Sequence, residues 1–300
     1  MTVIAHGGGL TGPHDLFSAW SWDPLVLTAI IVTCWWYWSG VRALWRSAGA
    51  GGVVSRRQVI AFVGAVATLV VALVSPLDPL ADVLFSAHMT QHVLLTLVAA
   101  PLLVLSAPLQ AMAWGLPSPL RQRIGRWQGR ARRALAHPSL PGVGLAVYTL
   151  VFTLWHVPAL YNAAIASDAV HALEHATMLG SALALWAPVI RPRRTNAGVG
   201  VVLLFVSLIA SGGLAALLVF SRAPWYAHTG TQNWGLGRLA DQQLAGAIMW
   251  VVGGAIYVVA GAAVVMHWLR TEEQAIERRE RPRPAPSGAR TRTQQSTTRA

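Results

Sequence analysis

The sequence predicts an all-α, polytopic membrane protein of seven transmembrane helices, with its N-terminus outside and its C-terminus in the cytoplasm. Three observations carry this. The 300 residues are 54% hydrophobic and only 11% charged, with a mean hydropathy of +0.49; soluble domains carry about 25% charged residues. Seven stretches free of Asp, Glu and Arg approach the length of about 20 apolar residues that a crossing needs. All 23 basic side chains are Arg, and 21 of them fall on one side of the resulting topology, which the positive-inside rule makes the cytoplasm.

In chain order the stretches are residues 24–41, 58–77, 83–120, 138–167, 175–190, 195–221 and 242–269. The first follows a polar segment without the apolar core of a cleavable signal, so it is expected to be retained as an anchor. The third would reach roughly 57 Å as one helix at about 1.5 Å per residue, so its core is set at 88–107, before Pro108. The fifth is short and extends back to Ala169 if Glu174 lies near the interface. Residues 118–137 are Arg-rich with apolar positions, as in a helix on the cytoplasmic lipid surface. Three segments follow: an extracytoplasmic arm (1–22), a seven-helix membrane domain (23–270) and a disordered cytoplasmic tail (271–300) rich in Arg, Pro, Ser, Thr and Gln.

The formal net charge of +12 sits in loops and tail, so its expected partner is a lipid bilayer and not nucleic acid. A single cysteine, Cys34, excludes an internal disulfide or a CxxC motif, and the absence of Lys excludes a retinal Schiff base.

Histidine supplies the candidate chemistry. Of ten His, only His137 and His267 fall on the cytoplasmic side; His6, His14 and His228 lie in the outer arm and an outer loop and are expected at the surface. The other five are His88, His92, His156, His171 and His175, near the outer ends of the third, fourth and fifth stretches. His88 and His92, and again His171 and His175, are spaced i,i+4, which puts each pair on one helix face. Polar groups inside membranes tend to face the bundle interior and mark functional pathways. Such a set can ligate a metal ion, and imidazole suits Zn, Cu, Fe and Ni alike. Met89 and Met178 lie beside the His stripes, and thioethers shift the choice towards copper. Haem iron with two facing His is the competing cofactor. His171-Ala172-Leu173-Glu174-His175 also matches the H-x-x-E-H pattern of zinc peptidases, but five residues carry little weight, and Glu174 reads equally as a group orienting a His ring. Asp241 and Gln242 open the last stretch, as a helix cap or as groups orienting rings in the same cavity.

Several motifs in order carry a resemblance: His88-Met89-Thr90-Gln91-His92, the run from Ala99-Ala100-Pro101 to Ser106-Ala107-Pro108, Trp155-His156-Val157-Pro158-Ala159-Leu160-Tyr161, the His171–His175 motif, and Asp241-Gln242-Gln243-Leu244-Ala245-Gly246 leading to Met249-Trp250. Over roughly residues 15–270 the chain resembles the CtaG family of bacterial cytochrome c oxidase assembly factors. The resemblance implies a multi-pass protein of the bacterial plasma membrane, a non-enzymatic chaperone needed to build active haem–copper oxidase, with oxidase subunits as partners and copper as cargo. The expectation is therefore copper held by His88, His92, His156, His171 and His175 with Met89 or Met178. Two alternatives stand beside it: a b-type haem protein, and a metal-free scaffold for oxidase subunits.

Overall fold

A computed structural model describes residues 12–123, 125–126, 140–191, 197–228 and 231–280, and among these the regular elements are all helical. Helix α1 (Pro24–Ala48) starts on a proline, whose missing N–H would have had no partner there, and Asp23 caps it by accepting from the backbone N–H of Leu25 at 2.7 Å and of Val26 at 3.3 Å. Helix α2 (Arg56–Leu73) opens on a reciprocal capping box between Ser55 and Gln58. The short α3 (Leu77–Ala81) leads into α4 (Phe85–Ser106). At Ala107 the backbone is left-handed (φ 53°) and a proline follows, so the third apolar stretch divides into α4 and a separate α5 (Pro108–Trp114).

Then come α6 (Leu140–Trp155), α7 (Pro158–Ala166), α8 (Asp168–Ile190) and α9 (Ala197–Phe220). The last helix, α10, runs from Arg238–Ile248 through a π turn, Met249–Gly253, into Gly254–Glu280. Among the described residues six helices are long and apolar enough to cross a membrane, and α6 with α7, bent by 72°, makes a seventh if taken as one broken span.

Two expectations change. Stretch 138–167 is not one helix, because Pro158 cannot continue the hydrogen-bond ladder and Val157 before it is extended (φ −69°, ψ 125°). Residues 271–280, expected in the tail, continue α10 as helix, and 281–300 lie outside the described residues. The amphipathic segment expected over 118–137 is helical at 118–123 and 125–126; its remainder lies outside the described residues.

Helix α4 is the central element: 61% of its span is buried, against 17–39% for the other spans. It packs on α2, α8 and α10. Phe85, Met89 and Val93 of α4 join Tyr148 and Phe152 of α6, Met178 and Leu185 of α8, and Met249 and Tyr257 of α10 in the main core. Helices α1, α2 and α5 form a second cluster in which Tyr37 and Phe62 stack at 3.7 Å. Large apolar side chains such as Ile31, Ile60, Phe205 and Val251 point outward and are exposed, as a lipid-facing surface requires. Both π turns, Leu94–Ala99 in α4 and Met249–Gly253 in α10, lie against each other, with a Cβ on Gly253 falling 3.4 Å from Leu97. A π turn inserts one residue and disturbs the i→i−4 ladder; here the Thr96 carbonyl accepts from the Trp186 indole N–H at 2.9 Å.

Candidate metal centre

The site forms where the first turns of α4 face the first turns of α8. The i,i+4 spacing does what the sequence predicts: His88 and His92 share one face with ring centroids 4.5 Å apart, and His171 and His175 do so at 4.3 Å. The two faces meet. His88 stacks on His171 at 5.2 Å and lies 5.9 Å from His175, while His92 is 5.7 Å from His175.

Glu174 sits at the centre of this group. Its carboxylate is fully buried, with one oxygen 3.4 Å from Nε2 of His88 and the other 3.4 Å from Nε2 of His92. Donor atoms converge in two overlapping sets, His88 with His171 and His175, and His88 with His92 and Glu174; within each set the atoms lie within 4.8 Å of one another. Both ring nitrogens of His88 and of His92, Nε2 of His171 and of His175, and both Glu174 oxygens are buried without a hydrogen-bond partner. Each unpaired buried polar group costs about 1–3 kcal/mol. One cation would give several of these atoms a partner at once, so imidazole and carboxylate here fit a first-row divalent ion or copper. The geometry makes Glu174 a candidate ligand and not only an orienter of rings.

The remaining expected residues separate from this group. His156, at the break between α6 and α7, is buried and 6.0 Å ring to ring from His92, and it contacts Met89 instead, Nε2 to Sδ at 3.3 Å. Met178 is buried in the main apolar core. Asp241 and Gln242 bond to backbone and Ser86, not to an imidazole. The Asp241 carboxylate accepts from the N–H groups of Phe85 (2.7 Å) and Ser86 (3.2 Å) and from the Ser86 hydroxyl (2.5 Å); Gln242 accepts from the N–H of Trp225 at 2.7 Å. Asp241 thus caps α4, not its own helix, and Gln242 pins the loop after α9.

His228, expected at the surface, is buried, with Nε2 3.0 Å from the Tyr161 hydroxyl. Tyr161 in turn packs edge-on to His88 at 4.9 Å, and Tyr226 donates to the His156 carbonyl at 2.8 Å. The loop after α9 folds back over the cluster through His228 and Tyr226. Burial lowers the affinity of His228 for a proton, as it raises that of the Tyr226 hydroxyl. The sequence signal for these partners is faint: aromatic residues in a loop beside a histidine. His14 is exposed beside Asp15, His267 is exposed, and His6 and His137 lie outside the described residues.

At the rim of the cluster, Asp82 feels the charges of both Asp78 and Asp168, and Asp78 is close enough to feel His171. Burial raises Asp78 above the usual carboxylate range, while hydrogen bonds from Ser21 and from Gln91 (2.9 Å) and the neighbouring His171 oppose it. Asp78 thus sets a carboxylate beside His171 of the donor set, and negative charge there favours a cation.

Comparison with curated proteins and with solved structures finds no match. A family model described as cytochrome c oxidase caa3 assembly factor matches residues 35–271, which takes in α2 to α9, most of α1 and α10, and every side chain of the cluster. On that match the chain belongs to the cytochrome c oxidase caa3 assembly factor family.

Proposed function

We propose that this assembly factor binds copper through His88, His92, His171, His175 and Glu174, at the extracytoplasmic end of its bundle in the bacterial plasma membrane. It passes the ion to a cytochrome c oxidase subunit by ligand exchange. The observation that carries this reading is the buried carboxylate between two imidazoles, surrounded by donor atoms without partners. The acidic rim, with Asp78 beside His171, favours a cation at the cluster. Ring-to-ring packing with centroids 4.3 to 5.9 Å apart supports a bare ion over haem, because a macrocycle inserted between α4 and α8 would break the Glu174 contacts to both His88 and His92.

The test is elemental analysis of the full chain purified in detergent, alongside the double variant Glu174→Gln/His175→Ala. Wild-type protein is expected to retain copper, and the double variant to bind it at least about tenfold more weakly. Equal copper in both would overturn the reading. A variant that loses copper yet still supports full oxidase activity would assign the protein a scaffolding role instead.

A further inference from the structure

Met89 and His156 stand apart from the histidine–glutamate cluster, and their contact has an unusual chemistry. The Nδ1 atom of His156 lies 2.6 Å from the Phe152 carbonyl oxygen. A carbonyl only accepts, so Nδ1 carries the proton of the neutral ring and Nε2 carries the lone pair. That lone pair faces Sδ of Met89 at 3.3 Å, and a thioether has no proton to offer. Two electron-pair donors, an imidazole nitrogen and a soft thioether, thus confront each other, both residues buried.

The pair opens onto a cavity that continues along α4, away from the cluster. Met249 borders the same cavity from the π turn of α10, and His92 borders it from α4. An ion about 2.0 Å from nitrogen and about 2.3 Å from sulfur would bridge a 3.3 Å donor pair at an angle of about 100°. That leaves room for one or two further donors, and Met249 supplies a second thioether. Thioether ligands select Cu(I).

We propose that Met89, His156 and Met249 form a second, soft site for monovalent copper, deeper along α4 than the histidine–glutamate cluster, with His92 shared between the two. His92 fits that position: Nε2 lies beside Glu174, both ring nitrogens lack hydrogen-bond partners, and the ring lines the cavity. The proposal rests on the copper reading above only in taking copper as the cargo.

The test uses the full chain in detergent, loaded with Cu(I) under reducing conditions, with X-ray absorption at the copper edge and titration against a Cu(I) chelator. Glu174→Gln/His175→Ala is expected to keep one Cu(I) with sulfur in its coordination shell. Adding Met89→Leu, which conserves volume, is expected to lower the sulfur count by one and weaken Cu(I) binding at least about tenfold. Met249→Leu, in the same background, is expected to lower the sulfur count by one. In the otherwise wild-type chain, Met89→Leu is expected to leave Zn(II) binding by the cluster unchanged. Nitrogen and oxygen alone around Cu(I) in the double variant, or undiminished sulfur after Met89→Leu, overturns the soft site while leaving the cluster reading intact. Sulfur-ligated Cu(I) in a chain that binds no Zn(II) or Cu(II) at the cluster sustains the soft site and removes the cluster reading.

Discussion

A single carboxylate sets the angle at which α4 presents the face that carries His88 and His92. The residue before α4 is Leu84, whose side chain cannot cap, so the first N–H groups of the helix would be unpaired in the bundle interior. Asp241 reaches across from α10 and takes both, together with the Ser86 hydroxyl. His88 lies only three residues beyond Phe85, so the rotation of α4 fixed by this contact is the rotation that aims His88 and His92 at Glu174. Asp241→Ala is expected to lower stability by about 1–3 kcal/mol for each donor left buried and unpaired, and to weaken metal binding without touching a ligand. Asp241→Asn, which keeps an acceptor oxygen, is expected to lose less. Thermal unfolding in detergent and metal titration of the two variants check both statements. At this scale the sequence was legible where it obeyed a local period: His88/His92 and His171/His175 needed only the 3.6-residue turn. Asp241 was visible as a polar group at a helix start, but its partners lie 155 and 156 residues away and leave no local trace. The Met89–His156 contact was hidden for the same reason.

Between elements, close approach is bought with small residues, and Gly40 is the sharpest case. A Cβ there would lie 1.8 Å from the Ala111 carbonyl oxygen, so α1 and α5 touch backbone to side-chain-free backbone. The neighbouring Trp36 indole donates to the Met112 carbonyl of α5 at 2.9 Å, holding that register, and Trp45 donates to Val54 in the turn before α2 at 2.9 Å. Gly40→Ala is expected to force the helices apart and to cost about 1–3 kcal/mol, read as a lowered unfolding midpoint. Since α1 and α5 belong to the second core cluster, metal binding by α4 and α8 is expected to survive in the folded fraction. Element boundaries explain what the sequence showed and hid. Pro108 marked the end of α4, and the left-handed Ala107 before it completes the stop. Pro158 carried the same warning, but apolar length on both sides of it outweighed one residue, and the break at His156 was read as continuous helix. The π turns in α4 and α10 leave no signature in the apolar pattern, because each inserts one residue without interrupting the helix.

For the whole molecule, orientation decides which compartment faces the histidine–glutamate cluster. Ser21 donates its backbone N–H to the Val74 carbonyl at 3.0 Å, so the chain before α1, the end of α2 and the start of α4 share one end of the bundle. The cluster of His88, His92, His171, His175 and Glu174 is therefore at the N-terminal segment's end, and the loop after α9 folds over it through His228. The opposite end receives the Arg-rich connections after α1 and α5, among the 21 Arg that the positive-inside rule assigns to the cytoplasm. This asymmetry gives the sequence its expected orientation, which is a sum over many charges and does not hang on any single contact. The prediction is that the histidine–glutamate cluster lies at the extracytoplasmic end of the bundle. Cys34 is the chain's one cysteine, so a Cys34→Ser background allows single-cysteine mapping. Ser18→Cys, in the exposed segment before α1, is expected to react with a membrane-impermeant maleimide on intact cells. Ala50→Cys, in the exposed turn after α1, is expected to react only once the membrane is opened. The reverse pattern would turn the whole bundle over, place the acidic rim and Glu174 on the cytoplasmic side, and require the ion to be drawn from the cytoplasm.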